Sequence, residues 1–160
     1  MMLLLFGLAG CGGYASEPTA RETLTENVER LKRDLADFQQ LVDQVEVYVQ
    51  DRPAARPILD TLQAQVALGQ RCIDDFEARL ETLEADMAAQ TDPRTSGPPV
   101  APEFFWDNFE LWMTLMSHES SIEDFLRAAN SDEGLADHQL ETWTIRFEKQ
   151  RKDLEMQAGP

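Results

Sequence analysis

The chain has 160 residues and a mass of 18.2 kDa, about one domain, and its 42% apolar and 28% charged content is that of a globular protein. Thirty acids against fourteen bases leave −16, which argues against nucleic acid and against electrostatic attraction to anionic headgroups. Two cysteines without a CxxC or CxxCH spacing argue against a disulfide scaffold, thioredoxin chemistry and c-type haem attachment.

The chain opens Met1-Met2-Leu3-Leu4-Leu5-Phe6-Gly7-Leu8-Ala9-Gly10-Cys11. The apolar or small run from Leu3 to Gly10 fits a short secretory core and falls well below the ~20 residues that span a bilayer as helix. Leu8-Ala9-Gly10-Cys11 resembles the lipobox of bacterial lipoprotein signal peptides. That resemblance implies that residues 1–10 are a signal peptide cleaved before Cys11, and that the Cys11 sulfur is diacylated. It departs from the family in one respect: no Lys or Arg precedes Cys11, as expected if the true start lies upstream of Met1. Gly12 stands where the family's inner-membrane retention signal has Asp, so the resemblance implies the outer membrane, facing the periplasm. Two or more acyl chains hold a protein stably where one does not.

Residues 11–19 form a small-residue tether. Thr19 and Glu22 have capping-box spacing. The apolar positions Leu24, Val28, Leu31, Leu35, Phe38, Val42, Val45 and Val49 then step 4-3-4-3-4-3-4, a heptad seam. Pro53 and Pro57 interrupt it. A second seam runs through Leu59, Leu62, Val66, Gly69, Ile73, Phe76, Leu80, Leu83 and Met87. The two predict an antiparallel helical hairpin over 20–90. Pairing about a turn near residue 54 sets Phe38 opposite Gly69, the ring filling the hole that the glycine leaves. Leu41, Tyr48, Ile58 and Cys72 widen the seam, so other helices, or a second copy, must cover it.

Residues 91–102, with four prolines and a glycine, read as a linker. A third helix begins near Glu103 and carries Phe104, Phe105, Trp106, Phe109, Leu111, Trp112, Met113, Leu115 and Met116, then narrows to Ile122, Phe125, Leu126 and Ala129. A tight turn at Asn130–Gly134 precedes a fourth helix with Ala136, Leu140, Trp143, Phe147 and Leu154 on one face. The fold class is all-α. Two antiparallel αα-hairpins, 20–90 and 103–158, make either an up-down four-helix bundle or an elongated coiled-coil hairpin with the second hairpin hinged on the linker.

Chemistry-bearing residues are sparse. His118 lies on the apolar face of helix three, and folding at about residue 130 brings it near Trp143. His138 falls off the stripe. Glu-x-x-His, HExxH, GxSxG and phosphate-cradling glycine motifs are all missing from the sequence, and serines one residue apart on a helix do not face each other. Cys72 reads as an apolar filler, with an intermolecular disulfide as its sharper alternative. Acids are spread over every helix. Arg52 and Arg56 make a basic tip at the first hairpin's loop, explained by helix-dipole compensation or by contact with an anionic partner.

The expected function is a non-enzymatic, membrane-anchored helical lipoprotein of the cell envelope. It would bind another envelope protein, or itself, through its helices, and needs no metal or cofactor. Phe104, Phe105 and Trp106, just after the linker, are the expected docking segment. Two alternatives are an apolar-ligand or metal carrier whose bundle core uses Trp112, His118 and Trp143, and a structural spacer.

Overall fold

The computed structural model describes residues 20–89 and 102–158, with side chains over 24–82 and 106–158. The leader, Cys11, the tether, the Thr19–Glu22 cap and residues 91–101 of the linker lie outside the described residues. Four helices fill the rest: α1 (Ala20–Asp51), α2 (Arg56–Ala89), α3 (Pro102–Ala129) and α4 (Asp137–Ala158). One 3₁₀ turn, Pro53–Ala55, joins α1 to α2. Pro102, assigned by composition to the linker, is the first residue of α3, a position where its missing N–H costs nothing.

All eight α1 seam residues are buried, none more than 7% exposed. On α2, Leu59, Leu62, Ile73, Phe76 and Leu80 are buried with Gly69, while Val66 is half-buried. The side chains of Leu83 and Met87 lie outside the described residues. Beside this seam runs a second buried column, Ile58, Thr61, Gln65, Leu68 and Cys72, at the same 3-4-3-4 spacing. One seam on α2 faces α1 and the other faces α4. The rest of the chain therefore supplies the cover that the widened seam requires.

The four helices form a bundle in which α2 packs on α1 and α4, and α3 packs on α1. The backbones of α3 and α4 approach less closely, and those of α1 and α4 do not meet among the described residues. Tyr48 meets Phe125, Arg30 meets Trp112, and Thr61 meets Glu148 while Pro57 lies beside Leu140. These pairs set α3 parallel to α1 and α4 parallel to α2. The order around the bundle is therefore α1, α2, α4, α3: two antiparallel hairpins laid side by side, with parallel helices across the junction.

The second hairpin turns over Asn130–Ala136, a longer connection than a tight turn at 130–134. Gly134 takes φ +60° there, the left-handed conformation that glycine adopts without strain. Leu135 is buried while Ala136 is exposed, which corrects the inclusion of Ala136 in the apolar face. Ala136 instead starts the helix: its N–H donates to Gln139 Oε1 at 2.8 Å, half of a capping box. The longer turn also shifts the register. Trp143 packs on Phe125 and Phe147, two turns along α3 from His118, while Gln150 reaches Ser121 and Asp153 acts on the buried His118.

Burial divides into two apolar clusters. One, at the loop end, holds Phe38, Val42, Ile58, Leu62, Phe125 and Phe147 among others. The other, at the end where α1 and α3 begin, holds Leu31, Leu35, Ile73, Leu111, Leu115 and Leu154. Between them lies a polar layer. Gln65 Nε2 donates to the Phe147 carbonyl at 2.8 Å. Ser121 Oγ accepts from Gln150 Nε2 at 2.9 Å and from Arg146 at 3.0 Å. His118 completes the layer; it is 3% exposed and burial pushes it down to about 4. Gln65, Ser121, His118 and Gln150 are the polar side chains that α2, α3 and α4 set at this level, while Val66 of α2 touches both clusters beside them.

Candidate functional site: the outer face of helix α3

Helix α3 carries two interleaved seams. Asn108, Leu111, Leu115, His118, Ile122, Phe125 and Ala129 step 3-4-3-4-3-4 and are buried. Trp106, Phe109, Met113 and Met116 step 3-4-3 out of phase with them. These four are 58%, 40%, 50% and 41% exposed. A helix needs one apolar stripe to join a bundle; α3 has a second, and it faces outward.

The stripe is ordered internally. Trp106 and Phe109 meet edge to face with centroids 6.1 Å apart, and Phe109 leans on Trp112 at 5.6 Å. Trp112 is held against α1 by the Arg30 guanidinium, 4.9 Å from its centroid. Aromatic contacts of this kind fix the rings, so the stripe is a preformed surface. Solitary exposed apolar residues are ordinary, whereas a contiguous exposed patch marks an interaction site.

Beside the stripe, α2, α3 and α4 enclose a cleft of about 640 Å³ that runs from Cys72 and Phe76 past Leu111 and Thr114 to Met156. Gln157 Nε2 donates to Thr114 Oγ1 at 2.9 Å across it. Carboxylates Asp75, Asp107, Glu110 and Asp153 line it, with Arg79 the single base there among the described residues. Arg79 already bridges Asp107 at 3.1 Å and Asp75 at 3.7 Å. On the stripe's other border, Glu119 stands with Glu123, Asp37 and Asp34, and its carboxyl is pushed up by burial and then by those neighbours. Acidic groups thus border the apolar stripe on both sides, with Arg30 over Trp112 as a base on the α1 side.

Trp106 of the expected docking segment is on this stripe. Helix α3 includes Phe104 and Phe105 in its backbone, and their side chains lie outside the described residues. The basic tip is largely engaged internally. Arg52 Nη2 donates to the Leu135 carbonyl at 2.5 Å and lies 3.6 Å from Asp137; Arg56 pairs with Asp60 at 2.9 Å. The three residues of the carrier alternative do not converge: Trp112 packs with one apolar cluster and Trp143 with the other. Among the described residues no group of three or more His, Cys, Asp or Glu is placed to hold a metal ion, and no helix is long and apolar enough to cross a membrane. Cys72 is a free thiol, buried, with burial pushing it up.

Sequence reading named the aromatic crowding of helix three but missed that Phe109, Met113 and Met116 form its exposed face. The signal was present: Phe109 and Met116 fall one position, and Met113 two positions, off the Leu111–Leu115–Ile122 phase. The chain matches no family model, no curated protein and no solved structure.

Proposed function

We propose that this protein is a lipid-tethered, non-enzymatic binding module of the bacterial envelope that engages another protein through the outer face of α3. The observation that carries the reading is the exposed 3-4-3 stripe Trp106–Phe109–Met113–Met116 on a helix whose buried seam is already complete. A second helix laid along such a stripe buries it in the knobs-into-holes manner.

The lipobox Leu8-Ala9-Gly10-Cys11 supports the tether. Helices α1 and α3 begin at the same end of the bundle. The eight residues from Gly12 to Thr19 reach at most ~28 Å, so the start of the stripe stays near the membrane, while the Arg52–Arg56 loop points away from it along helices about 45 Å long. Outer-membrane sorting follows from Gly12 after the cysteine.

Two measurements test this. Cys11→Ala is expected to move the protein from the membrane fraction to the soluble periplasm; continued membrane partition contradicts the tether. Crosslinked pull-down of the lipidated chain is expected to lose its partner in Phe109→Ser/Met113→Ser, both exposed positions whose replacement leaves the core intact. Capture unchanged by the double substitution contradicts the role of α3.

A further inference from the structure

The stripe's surroundings define its occupant more narrowly. We propose that the outer face of α3 and the acidic cleft beside it receive a cationic amphipathic helix of another protein, an inference that rests on the protein-binding reading above.

Shape selects a helix. Steps of 3-4-3 along Trp106, Phe109, Met113 and Met116 match the apolar edge of a second helix and not the two-residue period of a strand. The stripe extends over eleven residues, ~15 Å of helix from first to last, so it meets about two turns and more of a partner. Met113 and Met116, with unbranched flexible side chains, adapt to the knobs of that edge, and the exposed Met156 of α4 stands across the cleft.

Charge selects its sign. Helix α3 carries six acids and one base, and that base, Arg127, is paired with Asp124 at 2.9 Å. In the cleft Arg79 is shared between Asp75 and Asp107, whereas Glu110 and Asp153 have no ion pair among the described residues. Glu119 and Glu123, with Asp34 and Asp37 of α1, border the other side, where Arg30 is taken up over the Trp112 ring and, like Arg33, acts on Asp34. A helix with Lys or Arg flanking its apolar edge places positive charge against both borders, which gives specificity and a fast encounter. A second copy does the reverse: stripe against stripe brings carboxylate borders together between chains of −16 each, and like charges placed together across an interface cost several kcal/mol. Anionic lipid meets the same repulsion.

The test uses the full chain and a fluorescently labelled synthetic helix of ~21 residues, with Leu at 3-4 spacing and Lys at the flanking positions. A twin carries Glu in place of Lys, and a scrambled peptide keeps the Lys content without the apolar edge. Anisotropy titration is expected to give the Lys helix at least about tenfold tighter binding than the Glu twin, a ratio that shrinks as salt rises. Glu110→Gln/Asp153→Asn is expected to weaken the Lys helix several-fold, and Phe109→Ser/Met113→Ser to abolish its binding. Equal binding of the two helices, or of the scrambled peptide, overturns the proposal. So does a dimer of the chain alone in sedimentation that Met113→Ser dissolves, or binding to anionic vesicles through the same residues. If no synthetic helix binds but the stripe substitutions still remove the crosslinked cellular partner, the cationic-helix proposal fails and the protein-binding reading stands.

Discussion

Leu35 of α1 occupies the space that Gly69 of α2 leaves open. A Cβ built on Gly69 comes 2.9 Å from Leu35 Cδ1, and next nearest is Leu115 of α3 at 3.6 Å. Pairing about residue 54 put Phe38 there; the observed filler sits nearly one helical turn away. The pairing rule treats the hairpin as two facing rows, whereas the hollow over Gly69 is shared by three helices. Phe38 is fully buried instead in the loop-end cluster.

Gly69→Ala and Gly69→Leu are expected to separate. The atom an alanine methyl would press is the end of a flexible side chain, and alanine gains ~1 kcal/mol of helix propensity over glycine, so Gly69→Ala should leave stability unchanged or raised. Gly69→Leu forces extra carbons into space held by Leu35 and Leu115 and should cost about 1–3 kcal/mol. Urea unfolding checks both, and Leu35→Ala should restore part of the loss in the leucine variant. Equal, small effects would contradict the packing.

Arg52 joins the two loops. It hydrogen-bonds the Leu135 carbonyl and pairs with Asp137 at the start of α4. Half-exposed as it is, Arg52→Ala should cost about 1 kcal/mol, with the loss of amide protection concentrated at residues 135–140. Hydrogen exchange reads this directly. Arg56→Ala, removing only an exposed pair with Asp60, should be close to neutral.

His118 should give stability a pH dependence. Its ordinary value of 6.5 falls to about 4 through burial, so the folded protein keeps it neutral. Below pH 6.5 the unfolded chain takes up a proton that the folded chain refuses. Stability is therefore fully present above 6.5 and lost as pH falls toward 4, at up to about 1.4 kcal/mol per pH unit. Asp34 and Glu119 act oppositely, because burial first and neighbouring carboxylates after it push both up; folding gains as they protonate in the carboxylate range. The contribution of His118 is thus read as the difference between the native chain and His118→Leu across pH 6.5 to 4.5. Parallel stability curves for the two would contradict it.

Most of the architecture was legible because apolar spacing and helix breakers agree. The α1 seam from Leu24 to Val49 is buried throughout, and Pro53, Pro57 and Pro102 mark real boundaries. The polar layer was not legible. Gln65, Ser121 and Gln150 carry no apolar signal, and only their place in the 3-4 phase of buried neighbours gives them away. The register of α3 on α4 failed for a different reason: it depends on loop length, and Leu135 and Ala136 add two positions that turn chemistry alone does not count. The ring order α1, α2, α4, α3 depends on which flank of each seam is wider, and Ile58 and Cys72 indicated a further helix without saying which.

The most direct test of the central claim is a photoreactive residue placed at Met113 of the lipidated chain in intact cells, with Val47 as control. Val47 is 62% exposed on α1, away from the α3 stripe. A discrete protein adduct from position 113, lacking from position 47, is the expected result. Adducts of the same pattern from both positions, or only lipid adducts from 113, would contradict a protein-binding face on α3.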